Sequence, residues 1–245
     1  MVVLILIAIA FFLIIYGNSS NDNSDNNSSN YENNNRNTNG VNNNVVIEKR
    51  KDVLDEILHK DTSYTVSKFK HNWLDFFKVA KNNSVRSLYH FTDRKNLESI
   101  KRNGGLYSWD FCEKNNILIT NPGGDSLSRT LDRRHRLENY VRLSFSRNHP
   151  MMYVAKKQNR IENPIILEID PEVIFWKNTK FSDKNATRND VNVGQELVDF
   201  ERIKFHIVQQ STQLDLSEVE KPYYQAEVLV MEKVPLEFIK NLHLL

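Results

Sequence analysis

A long asparagine-rich segment limits where this chain can build a folded core. Half of residues 17–44 are asparagine, and serine, aspartate and glycine supply much of the rest. Such a segment has too little apolar surface to offset the entropy lost on ordering, so we expect a disordered linker over residues 17–45. The core must therefore form from the residues that follow the linker.

An uninterrupted apolar run, residues 2–16, precedes the linker and contains no charged residue. As a helix it would rise about 1.5 Å per residue and fall short of a hydrocarbon core of about 30 Å, so it is a short membrane span at best. A cleaved signal peptide is an alternative, although no Lys or Arg precedes the run and no small-x-small site follows it. A wrongly assigned start codon is another. We expect residues 1–16 to anchor the chain to a membrane, with an exported or cytoplasmic location as the alternatives.

The remaining sequence divides into two parts that differ in the spacing of their apolar residues. Residues 46–83 repeat apolar side chains at helical spacing and predict a helical lead-in that packs on the main domain. Residues 84–245 combine short β-like runs, turns rich in Asn, Gly and Asp, and one clear helix at 96–103, which predicts an α+β domain. The predicted strands are SLYHF, YVRLSF, PIILEI, IKFHIV and QAEVLV.

Charge and cysteine content exclude several classes of protein. The formal net charge of +2 permits binding to a polyanion without arguing for it. The single cysteine, Cys112, excludes an internal disulfide and a multi-cysteine metal site, and its aromatic neighbours indicate a buried packing residue. The scattered histidines match no metal-binding motif, so we expect no metal. P-loop, Rossmann and serine-hydrolase motifs are also missing.

Two segments carry groups suited to a nucleotide. His90, Phe91 and Thr92 end a predicted strand, where an imidazole and backbone groups can reach a ribose or an amide, although a histidine at a strand end is more often a structural hydrogen-bonding residue than a ligand-binding one. The Gly104–Gly105 pair allows close approach of the backbone. Further along, residues 126–153 interleave arginines with apolar positions, and arginine suits phosphate groups because its planar fork donates two parallel hydrogen bonds.

Glu227 is the most unusual acidic residue of the chain. In a strand over residues 225–230, Gln225, Glu227 and Leu229 would share one face and the small apolar residues between them the other. A carboxylate in the middle of an apolar strand must be paired, functional or at an edge. The same reasoning makes Glu168, within PIILEID, the alternative candidate for a functional carboxylate.

In this order, the three segments resemble the DarT family of DNA ADP-ribosyltransferases. The matching stretches are HFT with its NLxxI and GGL continuation, NYVRLSFxxxHPMMY, and QAEVLV, within residues 86–242. The resemblance implies the ADP-ribosyltransferase fold, a split β-sandwich with flanking helices that binds NAD⁺ as co-substrate. It also implies transfer of ADP-ribose to a base of single-stranded DNA, by a toxin whose partner is a macrodomain antitoxin.

The resemblance also implies roles for individual residues. Glu227 corresponds to the catalytic glutamate, and Arg129 is our choice for the essential arginine of catalysis and cofactor binding, with Arg133 or Arg134 as the alternatives. Met151 matches a methionine near the target base. The cofactor would contact His90, Phe91, Thr92, Leu106 and Tyr107, and the DNA would contact Arg133, Arg134, Arg147 and Met151.

One departure from the family pattern concerns the acceptor. Ser144 stands where thymidine-modifying members carry a tyrosine, so guanine is an alternative target base. Transfer to RNA or protein is the second functional interpretation, since a membrane-attached enzyme would not obviously meet chromosomal DNA. A third is an inactive nucleic-acid-binding relic of the fold, which the retention of Glu227 and of candidate arginines disfavours.

Overall fold

A computed structural model describes residues 53–244. The predicted apolar helix at residues 1–16 and the linker at 17–45 lie outside the described residues. None of the described helices is long and apolar enough to cross a membrane.

Three helices begin the described chain and contribute to the main core. They are α1 (Val53–Ile57), α2 (Thr62–Lys68) and α3 (Trp73–Asn82). Asp61 caps α2 by accepting a hydrogen bond from the Ser63 amide. Phe76 of α3 is fully buried and packs against Phe181 and Phe200 of the following domain. The lead-in helices and the strands therefore share one hydrophobic core.

The remaining elements mix helices and strands, as the sequence predicts. The strands are β1 (Leu88–Asp93), β2 (Gly105–Tyr107), β3 (Tyr140–Ser144), β4 (Pro164–Ile169), β5 (Lys180–Ser182), β6 (Val193–Gly194), β7 (Glu227–Met231) and β8 (Lys233–Pro235). The helices are α4 (Leu97–Arg102), α5 (Trp109–Lys114), α6 (Ser126–His135), α7 (Pro150–Lys157), α8 (Leu197–Glu201) and α9 (Phe205–Val208). Short 3₁₀ turns occupy Arg94–Asn96, Pro171–Phe175, Tyr223–Gln225, Leu236–Phe238 and Leu242–Leu244.

The strands form two antiparallel sheets. Six strands run in the order β4-β1-β3-β7-β5-β6, and β2 pairs with β8 in a separate ribbon. The strand order differs from the chain order, which places β7, from near the end of the chain, between β3 and β5. Glu227 consequently lies in the interior of the sheet, between two neighbouring strands.

Strand alternation separates a core face from a polar face at the centre of the sheet. Val228 and Val230 of β7 and Leu143 of β3 belong to the main core. Glu227 and Arg142 point to the opposite face, as side-chain alternation along β7 and β3 requires. The predicted strand over residues 225–230 is wrong at its start, because Gln225 lies in a 3₁₀ turn and β7 begins at Glu227. Polar side chains near the sheet centre are therefore collected on one side.

One predicted strand is wrong. IKFHIV, at residues 203–208, forms the short helix α9 instead of a strand. Its apolar side chains, including Ile203, Ile207 and Val208, are all buried. Propensity alone favours a strand here, but short apolar runs do not distinguish strand from helix, and packing against the core decides the outcome.

Candidate active site

A cleft of about 280 Å³ lies against the polar face of the sheet. Its walls come from β1, β2, β3, β7, helices α4 to α7, and the loop over residues 117–124. Its lining is mostly apolar with a few polar groups, which is usual for small-molecule sites. The cleft contains both Glu227 and the His90–Phe91–Thr92 segment, which are far apart in the sequence.

Glu227 is held firmly at the base of the cleft and is only 5% exposed. In the sheet it pairs with Ser144 on one side and Ser182 on the other. Its Oε2 accepts hydrogen bonds from Arg142 Nη1 at 2.7 Å and from the Ala186 amide at 2.8 Å. Among the described residues no donor is bonded to Oε1, so the bonds that position the carboxylate are made through Oε2.

Arg142 connects Glu227 to a second buried carboxylate. Its Nη2 forms an ion pair with Asp132, and Asp132 Oδ2 accepts a hydrogen bond from Trp109 Nε1 at 3.0 Å. Burial by itself lowers the pKa of the Arg142 guanidinium, but the charges of Glu227 and Asp132 raise it above its ordinary value. Burial raises the pKa of Asp132, against the opposing effect of Arg142. The cluster thus fixes a charged guanidinium between two buried carboxyl groups.

His90 lies where the sheet splits. Strand β1 pairs with β4 over its whole length but with β3 at a single position, Tyr89 with Ser144. The His90 Nδ1 lies 2.9 Å from the Arg142 carbonyl oxygen. In a continuous sheet, a backbone amide of the neighbouring strand would donate to this oxygen. A carbonyl oxygen only accepts, so Nδ1 carries the proton and Nε2 is the acceptor. Burial lowers the pKa of His90, so the ring is neutral near pH 7.

Phe91 and Thr92 shape the wall beside His90. The Phe91 ring is nearly parallel to the His90 ring, at 6.3 Å between centroids. Its edge also approaches Gly123 so closely that an added Cβ there would lie 3.1 Å from the ring. The Thr92 hydroxyl accepts a hydrogen bond from Asn96, which also binds both backbone groups of Asn121. Thr92 therefore supports the 117–124 loop through Asn96.

Leu106 and Tyr107 lie on β2 and line the cleft. Gly105 precedes them, and a Cβ at this position would lie 2.6 Å from the Val234 carbonyl, so close pairing of β2 with β8 requires glycine. The Tyr107 ring stacks on Phe111 at 4.5 Å between centroids, and the Lys233 ammonium lies 4.9 Å from the Tyr107 centroid. These contacts hold the Tyr107 ring in one orientation beside the cleft.

The three candidate arginines of α6 differ in their position. Arg129 lines the cleft, with its guanidinium 5.3 Å from the centroid of Trp109. Arg133 contacts the same ring at 4.7 Å but is exposed, lies outside the cleft and pairs with Glu113. Arg134 is exposed and does not line the cleft. No ion pair within the described part of the chain includes Arg129.

The remaining candidates for nucleic-acid contact lie in two places. Met151, at the start of α7, lines the cleft. Arg147 lies outside it, on an exposed segment, where it pairs with Glu168 and its guanidinium lies 5.8 Å from the Tyr89 ring centroid. Glu168, the alternative acidic candidate, is half-buried and does not line the cleft.

The structure agrees with a packing role for Cys112. The residue is buried, and burial raises the pKa of its thiol to about 11, which disfavours the reactive thiolate. In residues 53–244, no group of His, Cys, Asp and Glu side chains is arranged to hold a metal ion.

Sequence reasoning did not single out Arg142 or Asp132. Arg142 was one of several arginines in the 126–153 segment, yet the argument that identified Glu227 also applies to it, because it interrupts the apolar strand YVRLSF. Asp132 carried no comparable signal, since an acidic residue on a helix is ordinary. Only the packing of α6 against β3 brings Asp132 to Arg142.

A family model described as "ssDNA thymidine ADP-ribosyltransferase, DarT" matches residues 89–244. None of the curated proteins matches the chain. Among solved structures, Thermus sp. 2.9 DarT in complex with ADP-ribosylated ssDNA is 19% identical, with a TM-score of 0.52 over 64% of this chain and 80% of that chain. Thermosipho africanus DarTG in complex with ADP-ribose is 20% identical, with a TM-score of 0.52 over 62% of this chain and 42% of that chain. At such low identity these two similarities establish the fold.

Proposed function

The chain belongs to the DarT family of single-stranded-DNA thymidine ADP-ribosyltransferases, and we propose that Glu227 is the carboxylate with which it transfers ADP-ribose from NAD⁺ to a DNA base. The observation that carries this assignment is the geometry of Glu227. The side chain is buried, lines the cleft and is anchored through Oε2, and Oε1, to which no donor in residues 53–244 is bonded, is the oxygen that would contact a ligand.

The reaction breaks the bond between the ribose C1′ and the nicotinamide nitrogen. The bonding electron pair leaves with nicotinamide, so positive charge develops on the sugar, as it does in glycoside hydrolysis. A fixed carboxylate stabilises this charge most effectively when it does not have to reorient, because preorganised groups act without a reorganisation cost. A base nitrogen then attacks C1′ and loses its proton, which gives the ADP-ribosylated base.

Residues around the cleft suit the two ends of the dinucleotide. The His90 Nε2 is a neutral acceptor for a ribose hydroxyl, and Phe91, Leu106 and Tyr107 give an apolar wall for a flat ring. Arg129 has no carboxylate partner among the residues described and is the group best placed to bind the pyrophosphate. Arg142 holds Glu227 in position, because both of its ion pairs are already made inside the protein.

The DNA would enter beside Met151, at the edge of the cleft, with the exposed arginines near its backbone. Arg133, Arg134 and Arg147 are all exposed, so each can neutralise a phosphate. A single strand presents its bases without the cost of unpairing a duplex. Thymine is the target base by the family description, and Ser144, which lines the cleft across from Glu227, makes guanine the alternative.

Two wider assignments rest on the sequence. A macrodomain antitoxin that removes the modification is our proposed partner, and its co-expression should relieve toxicity of the active chain.

Residues 2–16 are our proposed membrane anchor, because fifteen consecutive residues carry no charge. Fractionation of the full chain tests the anchor, and deletion of residues 2–16 should then release the protein from the membrane fraction.

An acceptor assay tests the central proposal. Labelled NAD⁺ is incubated with the protein and with separate single-stranded DNA, RNA and protein acceptors, and the DNA is supplied as oligonucleotides with thymine or guanine as the variable base. We expect label on single-stranded DNA, and the labelled oligonucleotide identifies the base. Label only on RNA or protein would support the second interpretation, and no label despite DNA binding would support an inactive relic.

A further inference from the structure

The cleft contains a buried hydrogen-bond donor that no part of the mechanism above uses. His149 is 6% exposed and lines the cleft, and its Nε2 has no hydrogen-bond partner within residues 53–244. Its ring lies against Phe91, with 5.9 Å between centroids and 22° between planes. Through Phe91 the ring belongs to the same aromatic wall as His90.

The other ring nitrogen determines which atom carries the proton. His149 precedes α7, and its Nδ1 accepts a hydrogen bond from the Met151 amide at 3.3 Å. A nitrogen that accepts carries no proton, so a neutral ring must carry its proton on Nε2. Burial, together with the positive charge of Arg142, lowers the pKa of His149 to about 4, which keeps the ring neutral near pH 7.

A buried N–H without an acceptor is unfavourable, and proteins avoid it unless a ligand or water completes the bond. The surroundings of the ring indicate which kind of ligand atom fits. His149 is neutral and lies against the apolar Phe91 ring, and Arg142 already has two carboxylate partners within the protein. Burying a phosphate oxygen in such surroundings costs more free energy than burying a neutral carbonyl oxygen, so a carbonyl oxygen is the better acceptor.

We propose that His149 determines ligand specificity by donating its Nε2–H to a carbonyl oxygen on a ring of the reacting ligands. Two ligands of the proposed reaction carry such an oxygen, namely the target base and the carboxamide of nicotinamide, and this inference rests on the proposed function. In either case His149 positions the ring of the ligand through one hydrogen bond, while the Phe91 ring packs against the imidazole ring.

The test uses a variant that removes the donor and preserves the helix cap. Asparagine is a preferred N-cap residue, so His149→Asn keeps an oxygen for the Met151 amide but is too short to replace Nε2. Transfer to single-stranded DNA and hydrolysis of NAD⁺ without DNA are measured for the full-length wild type and for the variant. Thermal unfolding of both proteins checks that the fold is retained, and His149→Gln provides a second variant.

We expect transfer to fall about tenfold or more in His149→Asn, because a site built to hydrogen-bond one group discriminates strongly through it. If only transfer falls, the base is the acceptor, and oligonucleotides with 4-thiothymidine or 2-thiothymidine should then weaken the wild type but not the variant. If NAD⁺ hydrolysis falls equally, the carboxamide is the acceptor. Unchanged transfer and hydrolysis in both variants, with an active wild type, would overturn the inference. An inactive wild type would instead count against the proposed function.

Discussion

Arg142 Nη1 lies 2.7 Å from Glu227 Oε2, and the two residues occupy neighbouring strands of the central sheet. Arg142 is opposite Leu229 and Ser144 is opposite Glu227, so the ion pair crosses diagonally between β3 and β7. The sheet itself therefore determines the orientation of the carboxylate. Asp132, on α6, restrains the same guanidinium from the other side.

Glu227→Gln should reduce transfer by about 10²- to 10³-fold, since an amide keeps the shape but cannot stabilise positive charge on the ribose. Binding of NAD⁺ should change little, because the substitution affects mainly the transition state. The measurements are transfer rate under single turnover and NAD⁺ affinity by calorimetry. Glu168→Gln is the matched control, as Glu168 also lies in an apolar strand but outside the cleft. Equal rates for Glu227→Gln and the wild type would refute the assigned role.

Arg142→Met should lower the free energy of unfolding by about 3–5 kcal/mol, because it leaves two buried carboxylates without their partner. The loss should become smaller as the pH falls. Burial raises the pKa of Asp132, and the substitution removes the Arg142 charge that opposes this effect, so folded Asp132 gains a proton before the unfolded chain does, and protonation relieves part of the penalty. Denaturant unfolding from neutral to mildly acidic pH measures both effects.

Arg147→Met is the control for Arg142→Met. Arg147 is 53% exposed in its side chain and pairs with Glu168 at the surface. Its loss should cost less than about 1 kcal/mol. If the two substitutions destabilise the protein equally, the buried cluster has no special structural role.

Part of this site could be predicted from local pattern. The alternation of QAEVLV predicts that Glu227 lies on the face opposite to Val228 and Val230, and the structure has that arrangement with the two valines in the core. Apolar spacing likewise predicts β1, β3, β4 and α4 within a few residues. These features depend on neighbours in the sequence, where the period of side-chain direction is known.

Contacts between distant segments could not be predicted in the same way. The bond from His90 to the Arg142 carbonyl depends on how far β1 separates from β3, and the pairing of Asp132 with Arg142 depends on the placement of α6. Neither follows from periodicity. The error at residues 203–208 has the same origin, because the core selects helix α9 from an apolar run that suits either structure.

Arg129→Ala should weaken NAD⁺ binding by about 10- to 100-fold, the effect of losing charge-assisted hydrogen bonds to a phosphate. Stability should change little, since Arg129 makes no ion pair within residues 53–244. Arg133→Ala is the matched control, because Arg133 contacts the same Trp109 ring from outside the cleft. Affinity for NAD⁺ is measured by calorimetry for both variants. If the two variants bind NAD⁺ with equal affinity, a residue other than Arg129 binds the pyrophosphate.

Asp93 should make the domain sensitive to acid. Burial by itself raises the pKa of Asp93, but hydrogen bonds from the Lys95, Glu162 and Asn163 amides lower it to about 2. A folded-state pKa below that of the unfolded chain stabilises the protein at higher pH. The stabilisation is fully present above about pH 4 and is lost as the pH falls towards 2. Asp93→Asn should therefore reduce the free energy of unfolding by about 2 kcal/mol at pH 7, and the difference from the wild type should largely disappear near pH 2. Denaturant unfolding of both proteins at several pH values measures this difference, and a deficit that is independent of pH would show that the charge of Asp93 is not its cause.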